Sequence, residues 1–164
     1  MNNKRYILFV ILWMGFIFYM SHQPAEISKA QSNKVIDIIK HINNSNSTNN
    51  SNKTNNSDKF INSFVIRKTA HMFLYASLSI LMFICIYNGE NMLKSIILSL
   101  VLCFLYACSD EFHQLFIVGR SGELRDVLVD FMGSSIGIFI ISSIYSLKKL
   151  KYTRYTNINI KNTP

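Results

Sequence analysis

The chain has 164 residues, of which 49% are hydrophobic and only 16% are charged, whereas an ordinary soluble domain is about 25% charged. Its net charge of +8 could indicate nucleic-acid binding. However, the apolar residues are gathered into four long blocks, which is typical of a membrane protein, so we expect no nucleic-acid partner. The three cysteines (Cys85, Cys103 and Cys108) form no paired motif and lie in apolar runs, which excludes a disulfide framework.

The first apolar block, residues 6–20, is short for a membrane span, which needs about 20 residues. Arg5 before it and the polar residues 21–23 after it can extend the crossing, so we predict a helix over about 6–22. A basic start followed by an apolar run also resembles a signal peptide, but no small-residue cleavage site follows. The block is therefore predicted to be an uncleaved anchor.

The region after Pro24 has a mixed character. Val35, Ile38, Ile39 and Ile42 recur at helical spacing with charged residues between them, which predicts an amphipathic helix on the membrane surface. A partly ordered loop is the alternative. Residues 43–58 are almost entirely Asn, Ser and Thr, so they cannot bury apolar surface and are predicted to be a disordered insert.

Three longer apolar blocks follow, and we predict helices over residues 61–87, 92–118 and 124–147. With the first block they form the predicted fold, an all-α membrane protein with a bundle of four transmembrane helices over residues 6–147. Gly133 and Gly137 form a GxxxG step, at which another helix backbone could approach closely. A basic tail, 148–164, ends the chain.

The orientation in the membrane depends on the basic residues that flank the blocks. With both termini inside, eight of the 17 lysines and arginines are cytoplasmic and the other nine are outside, so the total does not decide. The lysines and arginines at residues 4–5 and 148–151 favour cytoplasmic termini, while Arg67 and Lys68 favour the reverse. We predict a multi-pass protein of the cell membrane with both termini in the cytoplasm.

Most polar residues of the blocks lie at the block ends that alternating helices bring to one face of the bundle. They are Arg67, Lys68, His71, Tyr75, Asp110, Glu111, His113, Gln114, Arg120, Asp126 and Asp130. Ionisable groups within a span are costly and usually face the bundle interior with a partner. We therefore predict one polar pocket at the mouth of the bundle. The alternatives are interfacial anchors for Arg67 and Lys68, and a frayed helix end for residues 109–114.

Motifs for cofactor chemistry are absent from the sequence. No phosphate-binding loop, nucleophile elbow or dinucleotide fingerprint occurs. Asp110 and His113, with His71 nearby, could hold a divalent metal, but the spacing of the HExxH type is missing. We therefore predict neither a metal nor a cofactor.

Several segments of the second half form a distinctive pattern. They are RKTAH at residues 67–71 with Tyr75, SDEFHQLF at 109–116, Gly119 with Arg120, and then Asp126, Asp130 and Gly133. This pattern resembles the VanZ-like family of bacterial membrane proteins, over about residues 6–147. The resemblance implies a multi-pass cell-membrane protein linked to resistance to glycopeptide antibiotics such as teicoplanin. His22 departs from the pattern, and the Asn-rich insert lies outside it.

The first functional hypothesis is a binding or accessory role in the cell envelope. The pocket would hold a lipid-linked phosphate or a peptidoglycan-related ligand, and the membrane lipids would surround the bundle. Arg67, Lys68 and Arg120 suit such a ligand because arginine and lysine recognise phosphate and carboxylate groups. The sequence does not predict the oligomeric state.

The second hypothesis is an intramembrane enzyme that acts on an envelope lipid or glycan. His113 or His71 would be the general base, Asp126 or Asp130 would orient it, and Arg120 would stabilise developing negative charge. An ion-coupled transporter is a third possibility because buried Asp and His suit it. We rank it last, since the sequence shows no internal repeat.

Overall fold

The structure is a computed structural model that describes residues 4–44, 56–120 and 122–161, with side chains described for 6–38, 64–120 and 122–155. Within these ranges the chain forms five α-helices and no strand. They are α1 Lys4–Ser21, α2 Ala25–Asn44, α3 Asn56–Ile86, α4 Met92–Gln114 and α5 Leu124–Lys161. The predicted all-α class is confirmed.

Three of the helices are long and apolar enough to cross a membrane: Phe64–Ile86 in α3, Met92–Gln114, which is the whole of α4, and Leu124–Tyr155 in α5. Helices α1 and α2 meet at a bend of 100°, and together they pass the same test of length and composition. The described residues therefore provide three crossings, or four if this bent pair is one span, where the sequence analysis predicts four separate ones.

Helix α2 forms where the alternative from sequence was a loop, so the predicted helix is confirmed. Ile36 is buried, and α2 packs on α3. Val35 and Ile38, two of the four residues of the predicted apolar stripe, are exposed. The part of the predicted stripe whose side chains the structure describes, Val35 and Ile38, therefore does not face the bundle.

Two predicted C-terminal helix ends are wrong. The helix predicted to run to residue 118 ends at Gln114, because the apolar residues 115–118 continue the hydropathy but form tight turns. The Leu115 N–H, for example, donates to the Phe112 carbonyl at 3.3 Å. Gly119 then adopts φ +76°, a conformation that favours glycine. Helix α5 continues to Lys161 rather than 147, since lysine and arginine are good helix formers.

The predicted disordered insert, 43–58, overlaps both neighbouring helices. Helix α2 reaches Asn44 and helix α3 begins at Asn56, so the two ends of the insert are helical. The remaining part of that prediction, residues 45–55, lies outside the described residues.

Helix α3 lies at the centre of the bundle and contacts each of the other four helices. Its side chains Tyr75, Leu78 and Phe83 are fully buried. Large apolar side chains cover the outer surface of the bundle, such as Phe73 and Phe139, which are 70% and 73% exposed. This distribution fits a bundle whose outer surface contacts lipid rather than water.

Helix α1 is held in the bundle by hydrogen bonds to two other helices. Trp13 Nε1 donates to the Leu74 carbonyl of α3 at 3.1 Å. The Tyr106 hydroxyl of α4 donates to the Met14 carbonyl at 2.6 Å. Such bonds are favourable because the polar groups would otherwise face an apolar environment. The orientation of α1 thus brings its end, Ser21, next to the end of α4.

Helices α3 and α5 run parallel at very short range. A Cβ atom at Gly133 would overlap the Met72 carbonyl oxygen, and one at Gly137 would overlap the Ala76 carbonyl oxygen. The predicted close approach of a second backbone at this GxxxG step is therefore confirmed. Because the residue numbers rise together along both helices, the start of α5 lies beside the corresponding part of α3.

We expect Gly133→Ala to lower stability, because the added methyl group meets backbone atoms of α3 that cannot move independently. Overpacking of this kind costs about 1–3 kcal/mol. Gly15→Ala is the matched control, since a Cβ at Gly15 has no neighbour within 4 Å, and alanine favours a helix by about 0.5–1 kcal/mol. Thermal unfolding of the two variants in detergent should therefore shift in opposite directions. An unchanged Gly133→Ala midpoint would contradict the close contact.

Candidate functional site

A cavity of about 80 Å³ opens where α3 begins its apolar part, α4 ends and α5 begins. Its walls come from these three helices and from Gly119, Arg120 and Glu123 between α4 and α5. The lining residues are Phe64, Arg67, Lys68, His71, Gln114, Gly119, Arg120, Glu123, Asp126, Val129 and Asp130. The close parallel packing of α3 on α5 brings their polar residues together across this cavity.

One wall of the cavity is an ion pair. Lys68 Nζ of α3 bonds to Asp126 Oδ1 of α5, and both side chains are partly exposed. The Lys68 ammonium also lies 4.4 Å from the centre of the Phe64 ring, a distance at which a cation is attracted to the aromatic face. Lys68 is therefore held by two neighbours and its charge is largely matched by Asp126.

Arg120 enters the cavity from the segment between α4 and α5. Its Nε atom is buried and has no hydrogen-bond partner among the described residues. The pKa of Arg120 is lowered, first by burial and then by the positive charge of Arg67, while nearby carboxylates oppose the change. Two guanidinium groups thus line one cavity, and the charge of Arg67 disfavours the charged form of Arg120.

The floor of the cavity holds a histidine and an aspartate. His71 Nδ1 of α3 lies 3.7 Å from Asp130 Oδ1 of α5. Asp130 is only 2% exposed, and its carboxylate is thus almost fully removed from solvent. The fully buried Tyr75 lies one helical turn below His71, and its hydroxyl has no partner among the described residues.

Asp110 of α4 lies next to His71 and Asp130 but does not line the cavity, and it is 2% exposed. Its Oδ2 accepts a hydrogen bond from the Ser21 hydroxyl of α1 at 2.7 Å and a long one from Gln114 Nε2 at 3.5 Å. Its other oxygen, Oδ1, is buried without a partner in the described part of the chain. The alternative of a frayed end for residues 109–114 is wrong, because Asp110, Glu111 and Gln114 are all buried.

The remaining two predicted residues of α4 lie to the side of the cavity. Glu111 accepts a hydrogen bond from the Glu123 backbone N–H at 2.7 Å, which fixes the start of α5 against α4. His113 instead faces α1, where its Nε2 lies 3.1 Å from His22 Nδ1 and its ring packs on Phe18 at 4.4 Å between centroids. The structure therefore separates His113 from His71.

The predicted pocket residues fall into three groups. Those that line the cavity are Arg67, Lys68, His71, Gln114, Arg120, Asp126 and Asp130. Tyr75 and Asp110 are buried near its floor, and Glu111 and His113 lie to the side.

Some lining residues could not be identified from sequence. Phe64 and Val129 resemble any lipid-facing apolar residue, and nothing in the pattern marks them as cavity walls. Glu123 lies in the polar connector directly before α5. This position, at the same face as the other polar residues, is the sequence feature that could have placed Glu123 in the pocket. Ser21 belongs to the polar end of the first block, but its bond to Asp110 requires knowledge of how α1 packs.

A second cavity, of about 380 Å³, lies between α2, α3 and the connector before α5. Its wall is mainly apolar, and Lys29 and Glu26 of α2 lie at it. It shares Phe64, Arg67 and Gly119 with the first cavity. The first cavity, which is lined mainly by charged residues, and the second cavity, whose wall is mainly apolar, therefore adjoin at these three residues.

The sequence model of the VanZ/LLP1 family matches residues 6–146. The chain belongs to the VanZ/LLP1 family. The match extends from α1 into α5 and includes every residue that lines the first cavity. No curated protein and no solved structure matches the chain.

We expect Ser21→Ala to destabilise the bundle, because it removes the shortest hydrogen bond to the buried carboxylate of Asp110. The loss should be about 1 kcal/mol or somewhat more, as for other bonds to charged or membrane-buried groups. Ser77→Ala is the matched control, since the Ser77 hydroxyl bonds only to the Phe73 carbonyl of its own helix. Thermal unfolding in detergent measures both. Equal shifts would show that the Ser21 bond contributes nothing specific.

Proposed function

We propose that this VanZ-family membrane protein binds the phosphate of a lipid-linked cell-envelope component in the first cavity. In this proposal it is an accessory protein for resistance to glycopeptide antibiotics of the teicoplanin type. The observation that carries the proposal is Arg120, a half-buried cation whose Nε atom has no hydrogen-bond partner among the described residues and which is repelled by a second cation, Arg67.

Three cations and three carboxylates line the cavity, so the case for an anionic ligand rests on how these charges are paired and not on their sum. Lys68 is matched by Asp126, and Asp130 has His71 beside it. Among the described residues, no carboxylate lies within ion-pair distance of Arg67 or Arg120. A phosphate between the two guanidinium groups would offset their repulsion and supply acceptors for the planar N–H donors, an arrangement for which arginine is well suited.

The size and surroundings of the cavity support a phosphate that carries a lipid chain. At about 10–15 Å³ for each water-sized position, a volume of about 80 Å³ accommodates a group as large as phosphate. The adjoining cavity, about 380 Å³ with a mainly apolar wall, suits the first part of an apolar chain. Both cavities lie at the ends of spanning helices, which is where a lipid head group would be found.

The proposed orientation places the termini in the cytoplasm and the cavity at the outer face. The basic residues around α1 and after α5 support it, and envelope precursors are exposed to glycopeptides at that face.

A second candidate function is an intramembrane enzyme. It is supported by the His71–Asp130 pair in the cavity, which is an arrangement suited to general-base chemistry beside a bound phosphate or glycan. His113 no longer fits the role of base, because it lies beside His22 and does not line the cavity.

We expect Arg120→Ala to weaken binding of a polyprenyl phosphate by at least tenfold, because it removes a charge-assisted contact, whereas Arg120→Lys should retain part of the affinity. Binding is measured with the purified chain in nanodiscs, and the phosphate-free polyprenol is the control ligand. Lys94→Ala is the control variant, since Lys94 is exposed at the opposite end of α4. In an expressing strain, teicoplanin resistance should fall with Arg120→Ala and remain with Lys94→Ala.

Equal affinity for the alcohol and its phosphate, or an unchanged Arg120→Ala variant, would contradict the binding proposal. Release of inorganic phosphate by the wild type, abolished in His71→Ala, would favour the enzyme instead. Binding without turnover favours the accessory role.

The orientation is tested by single cysteines in a variant without Cys85, Cys103 and Cys108. Val118→Cys reports the cavity side, because Val118 is 82% exposed in the segment after α4. Asn88→Cys, in the exposed turn between α3 and α4, reports the other side. We expect a membrane-impermeant maleimide to label only position 118 in intact cells. Labelling of position 88 alone would reverse the orientation.

A further inference from the structure

Three metal-ligating side chains meet at the floor of the first cavity, one from each spanning helix. His71 of α3, Asp110 of α4 and Asp130 of α5 each offer one ligand atom, and these atoms all lie within 4.8 Å of one another. From sequence, the candidate ligands were His71, Asp110 and His113 instead. The structure replaces His113 with Asp130, because His113 is turned towards His22.

The hydrogen bonds of this cluster are incomplete. Asp110 Oδ1 is buried with no partner among the described residues, although Oδ2 of the same carboxylate has two. The hydroxyl of the fully buried Tyr75 also has no partner in the described part of the chain, and it lies within electrostatic range of Asp110 and Asp130. Buried polar atoms without partners are rare in folded proteins and call for an explanation such as an ion.

The charges of the cluster are also incomplete. Two carboxylates, each 2% exposed, face a single imidazole, which can supply at most one positive charge. Lys68 is engaged by Asp126, and Arg120, although it lies within electrostatic range of Asp110, forms no ion pair with either carboxylate among the described residues. A divalent cation would neutralise both carboxylates at once, which makes their joint burial favourable.

We propose that His71, Asp110 and Asp130 bind one divalent transition-metal ion, for which Mn²⁺ and Zn²⁺ are the appropriate probes. One imidazole nitrogen with two carboxylate oxygens is a borderline ligand set, between the oxygen-rich sites of Mg²⁺ and the sulfur-rich sites of structural zinc. The site goes beyond the proposed phosphate binding and does not depend on it.

The geometry is compatible with an ion after small side-chain movements. Ligands at about 2.1 Å from a metal lie roughly 3–4 Å apart, and the His71 and Asp130 atoms are 3.7 Å apart. A pair at the 4.8 Å limit enters this range when its two atoms each move about 0.4 Å towards the other. His71 and Asp130 also line the cavity, so an ion can enter and waters can complete its coordination. A bound ion would occupy His71 and exclude it as a general base.

The competing explanation is a proton shared between the two carboxylates and His71, with no ion. The two explanations differ in whether a stoichiometric metal binds. They also differ in whether a metal stabilises the fold, since an ion that binds the folded state raises the unfolding temperature.

The experiment uses the full chain, purified in detergent through an affinity handle without histidine, stripped with a chelator and kept in phosphate-free buffer. Mn²⁺ binding is followed by electron paramagnetic resonance, and Zn²⁺ binding by competition with a chromophoric chelator. The matched control is Asp126→Asn, which also removes a carboxylate from the cavity but outside the cluster. A His22→Ala/His113→Ala variant removes the other histidine pair.

We expect one ion for each wild-type chain, with an affinity that falls more than tenfold in Asp110→Asn and in Asp130→Asn. Binding should persist in Asp126→Asn and in the His22→Ala/His113→Ala variant. The metal should raise the unfolding temperature of the wild type but not of the two cluster variants, whose folding is verified by gel filtration without metal.

The proposal is overturned by the lack of stoichiometric binding, by equal losses in Asp126→Asn and Asp130→Asn, or by binding that disappears with His22 and His113. Because no lipid phosphate is present, none of these outcomes bears on the phosphate proposal. Conversely, failure of polyprenyl phosphate binding would leave the metal measurement unaffected.

Discussion

The close contact between the backbones of α3 and α5 is the constraint on which the site depends. Gly133 and Gly137 lack the Cβ atoms that would hold the two helices apart. With the helices parallel, Asp126 and Asp130 lie opposite Lys68 and His71. The charged groups can be buried because each carboxylate of α5 meets a basic group of α3 at short range, which partly offsets the cost of desolvation.

Much of this arrangement could be predicted from the sequence, because hydrophobic blocks and alternating crossings place the block ends on a common face. The charged residues of α3 and α5 follow that rule. The rule does not determine how each helix is rotated about its own axis. His113 is one helical turn from Asp110, but the rotation of α4 directs its side chain to His22 of α1. Residues 115–118 show a second limit, since hydropathy reports burial in lipid and does not report where a helix ends.

The polar residues serve two different purposes within a small volume. Ser21, Gln114 and the Glu123 backbone amide use their hydrogen bonds to fix α1, α4 and the start of α5 around buried carboxylates. In and around the first cavity, the buried atoms without a hydrogen-bond partner among the described residues are Arg120 Nε, Asp110 Oδ1 and the Tyr75 hydroxyl oxygen. Most polar side chains of the site therefore have a structural role. The phosphate and metal proposals rest on the few buried atoms that have no hydrogen-bond partner.

The length of α5 has a consequence for how the bilayer acts on the cavity. Its spanning part, Leu124–Tyr155, has 32 residues and measures about 48 Å at 1.5 Å per residue, while the hydrocarbon layer is about 30 Å thick. The excess must be absorbed by tilt or by projection of the lysine-rich end into the aqueous phase. Because the glycines hold α3 against α5, we expect tilt of α5 to carry α3 with it. A change in bilayer thickness should therefore reorient the helix pair that supplies most of the residues lining the first cavity.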